Sequence, residues 1–476
     1  MGERPRIPGY DLARFLAVFG FVVVDMVGQV VWSDEGGGFG QQPEGPAALY
    51  WSWQLWWGRA SAMLAVLAGT GLALLFREGL GDDELGRKRR VILRRCLFLF
   101  VVGHLWNSST LWSWSILHYY TFFLAIGLLF VRAKPKALAL AAALFATVGV
   151  VDGLAFRELP DWLTGEFEQE LGEEELAALR GDGERGDGPQ DSVGTDEPVD
   201  DAPDDDLGPA DAAAADTSAD GAEDVKPSDV EGASDDAAAG EAEGASDDAA
   251  AGKAEGDAWD DEDWEGDFGD PKIWQAEFWS VRHHLVGTLF DGMYPVFPWM
   301  AFLLVGMAVV RLGLDTARTR RRVLAGAVLA TGAAYAAWWA ARALDWSATA
   351  QLVTDVDRFA CMPSYLVTAT GQAVILLCLA LEVAERWPTA RWLPALVATG
   401  QMTFSVYIFR IFIGGGDRAG LYDWLGFADG TTRSVLTDGW LRVAIFLPLT
   451  ILVCHLWVRR FGRGPLEAAM RRFSDR

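Results

Sequence analysis

Residues 12–32, LARFLAVFGFVVVDMVGQVVW, form an apolar run in which Asp25 is the one acidic side chain. A helix needs about 20 mainly apolar residues to cross the hydrocarbon core of a bilayer. The run is too long for the apolar part of a secretory signal, and no small-x-small cleavage site follows it. We therefore expect a retained membrane helix in which Asp25 has a function.

Further apolar runs of this kind occur along the chain, and together they predict an all-α integral membrane protein with about ten transmembrane helices. The predicted spans are 12–32, 56–76, 91–107, 115–131, 136–156, 293–311, 323–343, 360–382, 394–413 and 440–458. The third is the shortest, and it is kept because the alternation of charged connections requires it.

Basic clusters predict the orientation of these helices. The clusters at 87–90 and 318–322 and the basic tail after 458 all fall on one side under a ten-span arrangement. Lys and Arg accumulate in cytoplasmic connections, so we expect both termini in the cytoplasm. Residues 158–292 are then extracytoplasmic, and the protein is expected in the plasma or inner membrane of the cell.

An acidic insert interrupts the apolar chain. Residues 158–271 hold 41 Asp or Glu and 4 Lys or Arg, whereas the rest of the chain carries a net charge of +11. The segment contains a near-exact tandem repeat, 232–243 followed by 244–255. Low hydrophobicity with high like charge predicts disorder. The expected organisation is a first half-bundle at 1–157, the disordered insert at 158–272, and a second half-bundle at 273–476.

The same composition excludes other classes of protein. A strongly acidic segment repels phosphate, so no nucleic-acid partner is expected, whereas membrane lipid is. The four cysteines form no CxxC pair and lie in apolar surroundings. Neither a disulfide framework nor a zinc site is therefore indicated.

Polar side chains at membrane depth are costly and usually mark function. His104 would close the third span and His118 would open the fourth, so the two can face each other across a hairpin. A neutral histidine there can take a proton from a hydroxyl or amine and return it, with Asp25 orienting it. We predict these three as catalytic. The alternative is that each histidine only bonds a helix-end carbonyl. A metal set of the same residues lacks supporting spacing, and no metal is expected.

Other candidates lie at both predicted membrane faces. Arg59 and Arg410 lie at a depth similar to that of Asp25, and Tyr119 adjoins His118, so we predict that all three bind substrate. On the cytoplasmic side, Asp11 and Arg14 are three residues apart and share a helix face. They form either a local salt bridge or part of a site for a cytoplasmic donor.

Several motifs in order carry a resemblance to a known family. They are RIPGYDLARF (6–15), GRASAMLAVLAG (58–69), GH (103–104), SILHYY (115–120), YPVFPW (294–299), GQMTFSVY (400–407) and GPLE (464–467). The chain resembles the heparan-α-glucosaminide N-acetyltransferase-like membrane acyltransferase superfamily. Within it, the resemblance is to the bacterial YeiB-like branch, which carries domain of unknown function 418.

The resemblance implies an acyltransferase that passes an acyl group from cytoplasmic acyl-CoA, such as acetyl-CoA, to an extracytoplasmic sugar hydroxyl or amine. Its cofactor-binding residues would be Arg14 with Asp11, and Arg94 with Arg95, as a basic pocket for the CoA phosphates. The sequence leaves two alternatives open: a small-solute transporter that uses Asp25, Arg59 and Arg410 as substrate or proton sites, and a non-catalytic membrane protein.

Overall fold

The computed structural model describes residues 7–31, 46–76, 81–109, 116–155, 285–357, 361–414 and 435–475. These residues are mostly helical, and no strand occurs among them. They belong to one compact unit built from both sides of the acidic insert. The insert at 158–272 itself lies outside the described residues.

Fourteen α-helices are described in these ranges. They are α1 Pro8–Val31, α2 Ala47–Gln54, α3 Arg59–Leu75, α4 Asp82–Ser109, α5 Leu117–Gly127, α6 Pro135–Ala155, α7 Val296–Arg311, α8 Ala317–Ala343, α9 Ala348–Val353, α10 Pro363–Arg386, α11 Leu393–Gln401, α12 Thr403–Gly414, α13 Val435–Phe461 and α14 Pro465–Ser474. A 3₁₀ turn, Leu128–Phe130, extends α5, and a π-helical turn, Gly287–Asp291, precedes α7.

Helical structure covers most of each predicted span, since apolar runs of this length form helices. Among the described residues, five stretches are long and apolar enough to cross a membrane: Ala47–Leu75, Pro135–Leu154, Ala317–Ala343, Pro363–Arg386 and Leu436–Phe461. The chain is therefore a multi-pass helical membrane protein. The full count of ten spans, the cytoplasmic position of the termini and the kind of membrane stay predictions.

The centre of the bundle is formed by α3, α7 and α10, with α1 packed against α10, α11 and α13. Helices α3 and α7 approach each other closely. A Cβ on Gly69 would lie 2.0 Å from the carbonyl oxygen of Leu303, and a Cβ on Gly306 would lie 2.0 Å from that of Val66. Small residues let membrane helices approach this closely, which compensates for the missing hydrophobic drive between helices in lipid.

Two further contacts position the candidate site. Helix α4 packs along α5 and also against the final helix, α14. A Cβ on Gly103 would lie 2.8 Å from the backbone nitrogen of His118, so glycine is what allows α4 and α5 to touch there. Helix α4 therefore joins the predicted histidine pair to the end of the bundle that carries α14.

Candidate functional site

The predicted pair at the start of α1 forms. Arg14 donates from Nη1 to Oδ1 of Asp11 over 2.6 Å, and Gln401 donates from Nε2 to Oδ2 over 3.2 Å. Asp11 is buried, and its backbone is in contact with Gly400, where a Cβ would lie 1.8 Å from the Asp11 carbonyl oxygen. The carboxylate is thus fixed by two donors and by close packing of α1 on α11.

A cavity of about 360 Å³ opens beside this pair. It lies between α1, the junction of α11 and α12, α4 and α14. The lining residues are Arg14, Arg95, Gly400, Gln401, Thr403, Phe404, Gly462, Arg463, Glu467, Met470 and Arg471. Its volume falls in the range of small-molecule sites. Four guanidinium groups against a single lining carboxylate favour an anionic ligand.

The carboxylate of Glu467 is already engaged by the backbone. It accepts hydrogen bonds from the backbone N–H groups of Phe404 and Ser405 over 2.9 and 3.0 Å, and from the Ser405 hydroxyl. These N–H groups begin α12 and have no partner within the helix. Glu467 therefore caps α12, and it does little to neutralise the arginines of the cavity.

Helix α14 forms the outer wall of the cavity and is held by α4. Arg95 donates from Nε to the Ser474 hydroxyl over 3.3 Å and places Nη2 3.9 Å from a carboxylate oxygen of Asp475. Arg94 donates to the backbone carbonyl of Ser474 over 3.5 Å. Arg471 donates to Asp475 over 2.9 Å. Of the predicted pair, Arg95 lines the cavity and Arg94 supports its wall.

The two predicted catalytic histidines lie together. The ring centroids of His104 and His118 are 5.6 Å apart in a T-shaped arrangement. The Nδ1 atom of His104 lies 3.0 Å from the carbonyl oxygen of Phe100, which can only accept a hydrogen bond. The proton is then on Nδ1, and Nε2 is the nitrogen that can take up another. This contact also meets the description of a helix-end histidine bonded to a carbonyl.

Hydroxyl groups continue the layer beyond the histidines. The Tyr119 ring lies against the His118 ring with centroids 3.8 Å apart and planes tilted by 40°, and its centroid is 5.8 Å from that of Tyr294. The Ser61 hydroxyl donates to the Tyr294 hydroxyl over 3.4 Å. The hydroxyl of Tyr120 is buried without a hydrogen-bond partner in the described part of the chain. Tyr119 therefore lies where it was predicted, beside a histidine, and the neighbouring hydroxyls were not predicted.

Asp25 has a different partner from the one predicted. It forms an ion pair with Arg410 of α12, and both side chains are buried. Arg410 also donates to the Tyr407 carbonyl over 3.0 Å, and its guanidinium lies 4.0 Å from the Phe21 ring centroid. The predicted orientation of a histidine by Asp25 is not formed by the described residues, because the buried guanidinium attracts the carboxylate more strongly than a neutral imidazole would.

Tyr407 connects this ion pair to the histidine layer. Its hydroxyl accepts the backbone N–H of Ile116 over 3.2 Å, and Ile116 immediately precedes α5. Its ring lies 4.5 Å from the Arg410 guanidinium. A shift of α12 would therefore move the start of α5, the helix that carries His118.

Arg59 has backbone partners. Its guanidinium donates to the carbonyls of Gln54, Trp57 and Val356 over 3.3, 3.2 and 2.9 Å. It lies 5.9 Å from the ring centroids of Tyr335 and Tyr365. These contacts join the start of α3 to the loop after α9. Its predicted substrate-binding role stays a prediction.

The part of the chain that the structure describes contains no group of three His, Cys, Asp or Glu side chains arranged to hold a metal ion. Arg463, Arg471 and Glu467 also line the cavity and were not predicted from the sequence. The available signal was the GPLE motif at 464–467, followed by basic residues spaced along a short amphipathic helix.

Comparison with known proteins gives one match. The model of a family described as "Protein of unknown function (DUF418)" matches residues 309–476, which include α8 to α14. This supports the DUF418 part of the resemblance and carries no acyltransferase assignment. No curated protein and no solved structure matches the chain.

Proposed function

We propose that the protein is a membrane acyltransferase of the heparan-α-glucosaminide N-acetyltransferase-like superfamily. In this proposal it passes an acyl group from cytoplasmic acyl-CoA, such as acetyl-CoA, to an extracytoplasmic hydroxyl or amine of a glycan-type acceptor. The observation that carries the proposal is the arginine-lined cavity, whose residue Arg95 lies on the same helix as His104. A site for a phosphorylated donor and a proton-transfer group are thus connected by one rigid element.

The spacing of Arg95 and His104 along α4 suits this reaction. His104 lies nine positions after Arg95, which corresponds to about 14 Å along an α-helix. A donor with phosphates among the arginines and a long flexible arm can present its thioester towards the histidines. Positive charge at the cavity and neutral aromatic side chains around the histidines fit the two ends of such a donor.

The chemistry needs one base and no redox partner. Nε2 of His104 takes the proton from the acceptor hydroxyl or amine while the acceptor oxygen or nitrogen attacks the thioester carbonyl carbon. The carbon–sulfur bond then breaks, and the imidazolium returns the proton to the thiolate. The products are an ester or amide and free CoA. His118, 5.6 Å from His104 between ring centroids, would position the base or the acceptor.

Transfer of a labelled acyl group from acyl-CoA by the purified full-length protein in detergent tests this proposal. His104→Gln should lower the transfer rate by about a hundredfold, the usual scale of general acid–base catalysis. Gln retains a hydrogen bond to Phe100, so the thermal midpoint should hold. Phe122→Leu, on the adjoining helix, is the control for packing. Full activity in His104→Gln and His118→Gln would reject histidine catalysis.

A small-solute transporter is the second candidate, and the buried ion pair of Asp25 with Arg410 favours it. Charged pairs within a bundle can mark a substrate or proton path. Uptake by proteoliposomes that is lost in Asp25→Asn, together with a folded protein that does not bind acyl-CoA, would replace the acyltransferase proposal. Retained acyl transfer in a folded Asp25→Asn variant would instead assign the pair to structure.

A further inference from the structure

Helix α14 places an acidic side chain against the arginines of the cavity. Asp475, which directly follows the helix, lies 3.9 Å from Arg95 and 2.9 Å from Arg471 between charged atoms. Both arginines also line the cavity. The same two guanidinium groups therefore face an internal carboxylate and the space where an anionic ligand would enter.

These two ion pairs are open to water. The side chains of Asp475 and Arg471 are both 44% exposed, and that of Arg95 is 30% exposed. Exposed ion pairs hold their partners weakly, because water screens the charges and the long side chains lose freedom when they pair. By contrast, Arg14 pairs with Asp11, whose side chain is only 7% exposed. Of the four arginines of the cavity, Arg14 is thus paired with a buried carboxylate, whereas Arg95 and Arg471 are paired with an exposed one.

A phosphate group is a stronger partner for these arginines than a carboxylate. It offers three acceptor oxygens and up to two negative charges, and guanidinium groups bind it through parallel hydrogen bonds. The rest of the cavity wall is held in place. Ser474 is fully buried against α4, and Glu467 fixes the start of α14 to α12. The exchange therefore needs only the exposed Asp475 carboxylate to release its partners, Arg95, Arg471 and the Ser474 hydroxyl that donates to it over 3.2 Å, while the helix stays docked.

We infer that Asp475 is an internal counter-anion for Arg95 and Arg471, and that a phosphate-bearing ligand binds this cavity by taking its place. The ligand class is a phosphate mono- or diester with a site between α1, α4 and α14. The identification of that ligand as acyl-CoA rests on the proposed function. The exchange itself does not, since a phospholipid headgroup would use the same two arginines.

The test measures CoA binding to the purified full-length protein in phosphatidylcholine nanodiscs. Asp475→Asn should tighten binding by about threefold to fivefold, the scale of an exposed pair. Asp83→Asn removes one exposed acidic charge at the start of α4 and serves as the matched control, which should not change affinity. Arg95→Gln and Arg471→Gln should each weaken binding by about tenfold. Arg472→Gln, an exposed neighbour that does not line the cavity, should stay within about twofold of the parent.

Pantetheine, which lacks the phosphates, should bind equally to the parent and to Asp475→Asn. A second arm replaces CoA with phosphatidylglycerol in the nanodiscs and measures lipid retention in the same variants. If Asp475→Asn tightens CoA binding and the two arginine variants weaken it, the exchange and a soluble ligand are supported. If the variants change lipid retention in this way but leave CoA binding unchanged, the exchange is supported and the acyltransferase proposal is removed.

Equal CoA affinity in Asp475→Asn and Asp83→Asn, with equal lipid retention, would overturn the inference. Acyl transfer can still proceed in that case, so the failure of the exchange and the failure of the proposed function are distinguishable.

Discussion

The ion pair of Asp25 with Arg410 and the arginine cavity both contain guanidinium groups, but they differ in how those groups are held. In the first, both side chains are buried, and an aromatic ring and a backbone carbonyl complete the surroundings of Arg410. In the cavity, Arg471 is 44% exposed and its acidic partner is equally so. In a closed pair each buried charge depends on its partner, whereas an open pair leaves cations that a ligand can use.

Breaking the closed pair should give the largest effect on stability. Asp25→Ala leaves a buried guanidinium without its counter-charge, which typically costs about 3–5 kcal/mol. The double variant Asp25→Leu with Arg410→Met removes both charges and should recover most of that loss. Unfolding in mixed micelles by denaturant measures both. A parent-like unfolding midpoint for Asp25→Ala would mean that the pair is not closed.

Gly400→Ala should have the next largest effect on stability. It tests how tightly α11 packs on α1 at the wall of the cavity. The added Cβ would overlap the Asp11 carbonyl oxygen at 1.8 Å, so α11 must move away from α1. Overpacking of this kind costs about 1–3 kcal/mol. CoA affinity should fall too, because Gln401 would lose its position on Asp11. Gly326→Ala in α8 is the control, since no atom lies within 4 Å of its added Cβ. Equal thermal midpoints for the two variants would contradict the close packing.

The difference between these regions also explains how far the sequence alone could lead. Apolar runs locate helices because burial in lipid or protein requires them: the predicted span at 136–156 is α6, Pro135–Ala155. The proximity of His104 to His118 also followed from a short hairpin. Both features depend on neighbours along the chain.

Features that depend on distant residues were not predictable. The span at 394–413 was predicted as one helix, yet it is divided into α11 and α12 around Met402. Glu467, a residue more than 60 positions later, caps α12 at this division. Likewise, the tail after α13 was expected only to carry cytoplasmic charge, whereas α14 walls the cavity. Asp25 was assigned to a histidine because Arg410, its partner, comes from the far half of the chain.

Substitutions of Glu467 should have the smallest effect on stability. They test whether this carboxylate behaves like the closed ion pair or like the open pairs of the cavity. Glu467→Gln keeps an oxygen that can accept from the Phe404 N–H but loses the charge that favours a helix N-terminus. Stability should fall by about 0.5–1 kcal/mol, whereas Glu467→Ala should cost about 1–2 kcal/mol, because the N–H groups of Phe404 and Ser405 lose their acceptor. Affinity for CoA should move the other way and rise by about twofold, since one negative charge has left a cavity lined by arginines. Thermal unfolding and CoA titration of the same two samples measure both quantities. If stability and CoA affinity fell together, Glu467 would act on the cavity by holding α12 in place rather than through its charge. The carboxylate would then resemble the closed pair of Asp25 and Arg410.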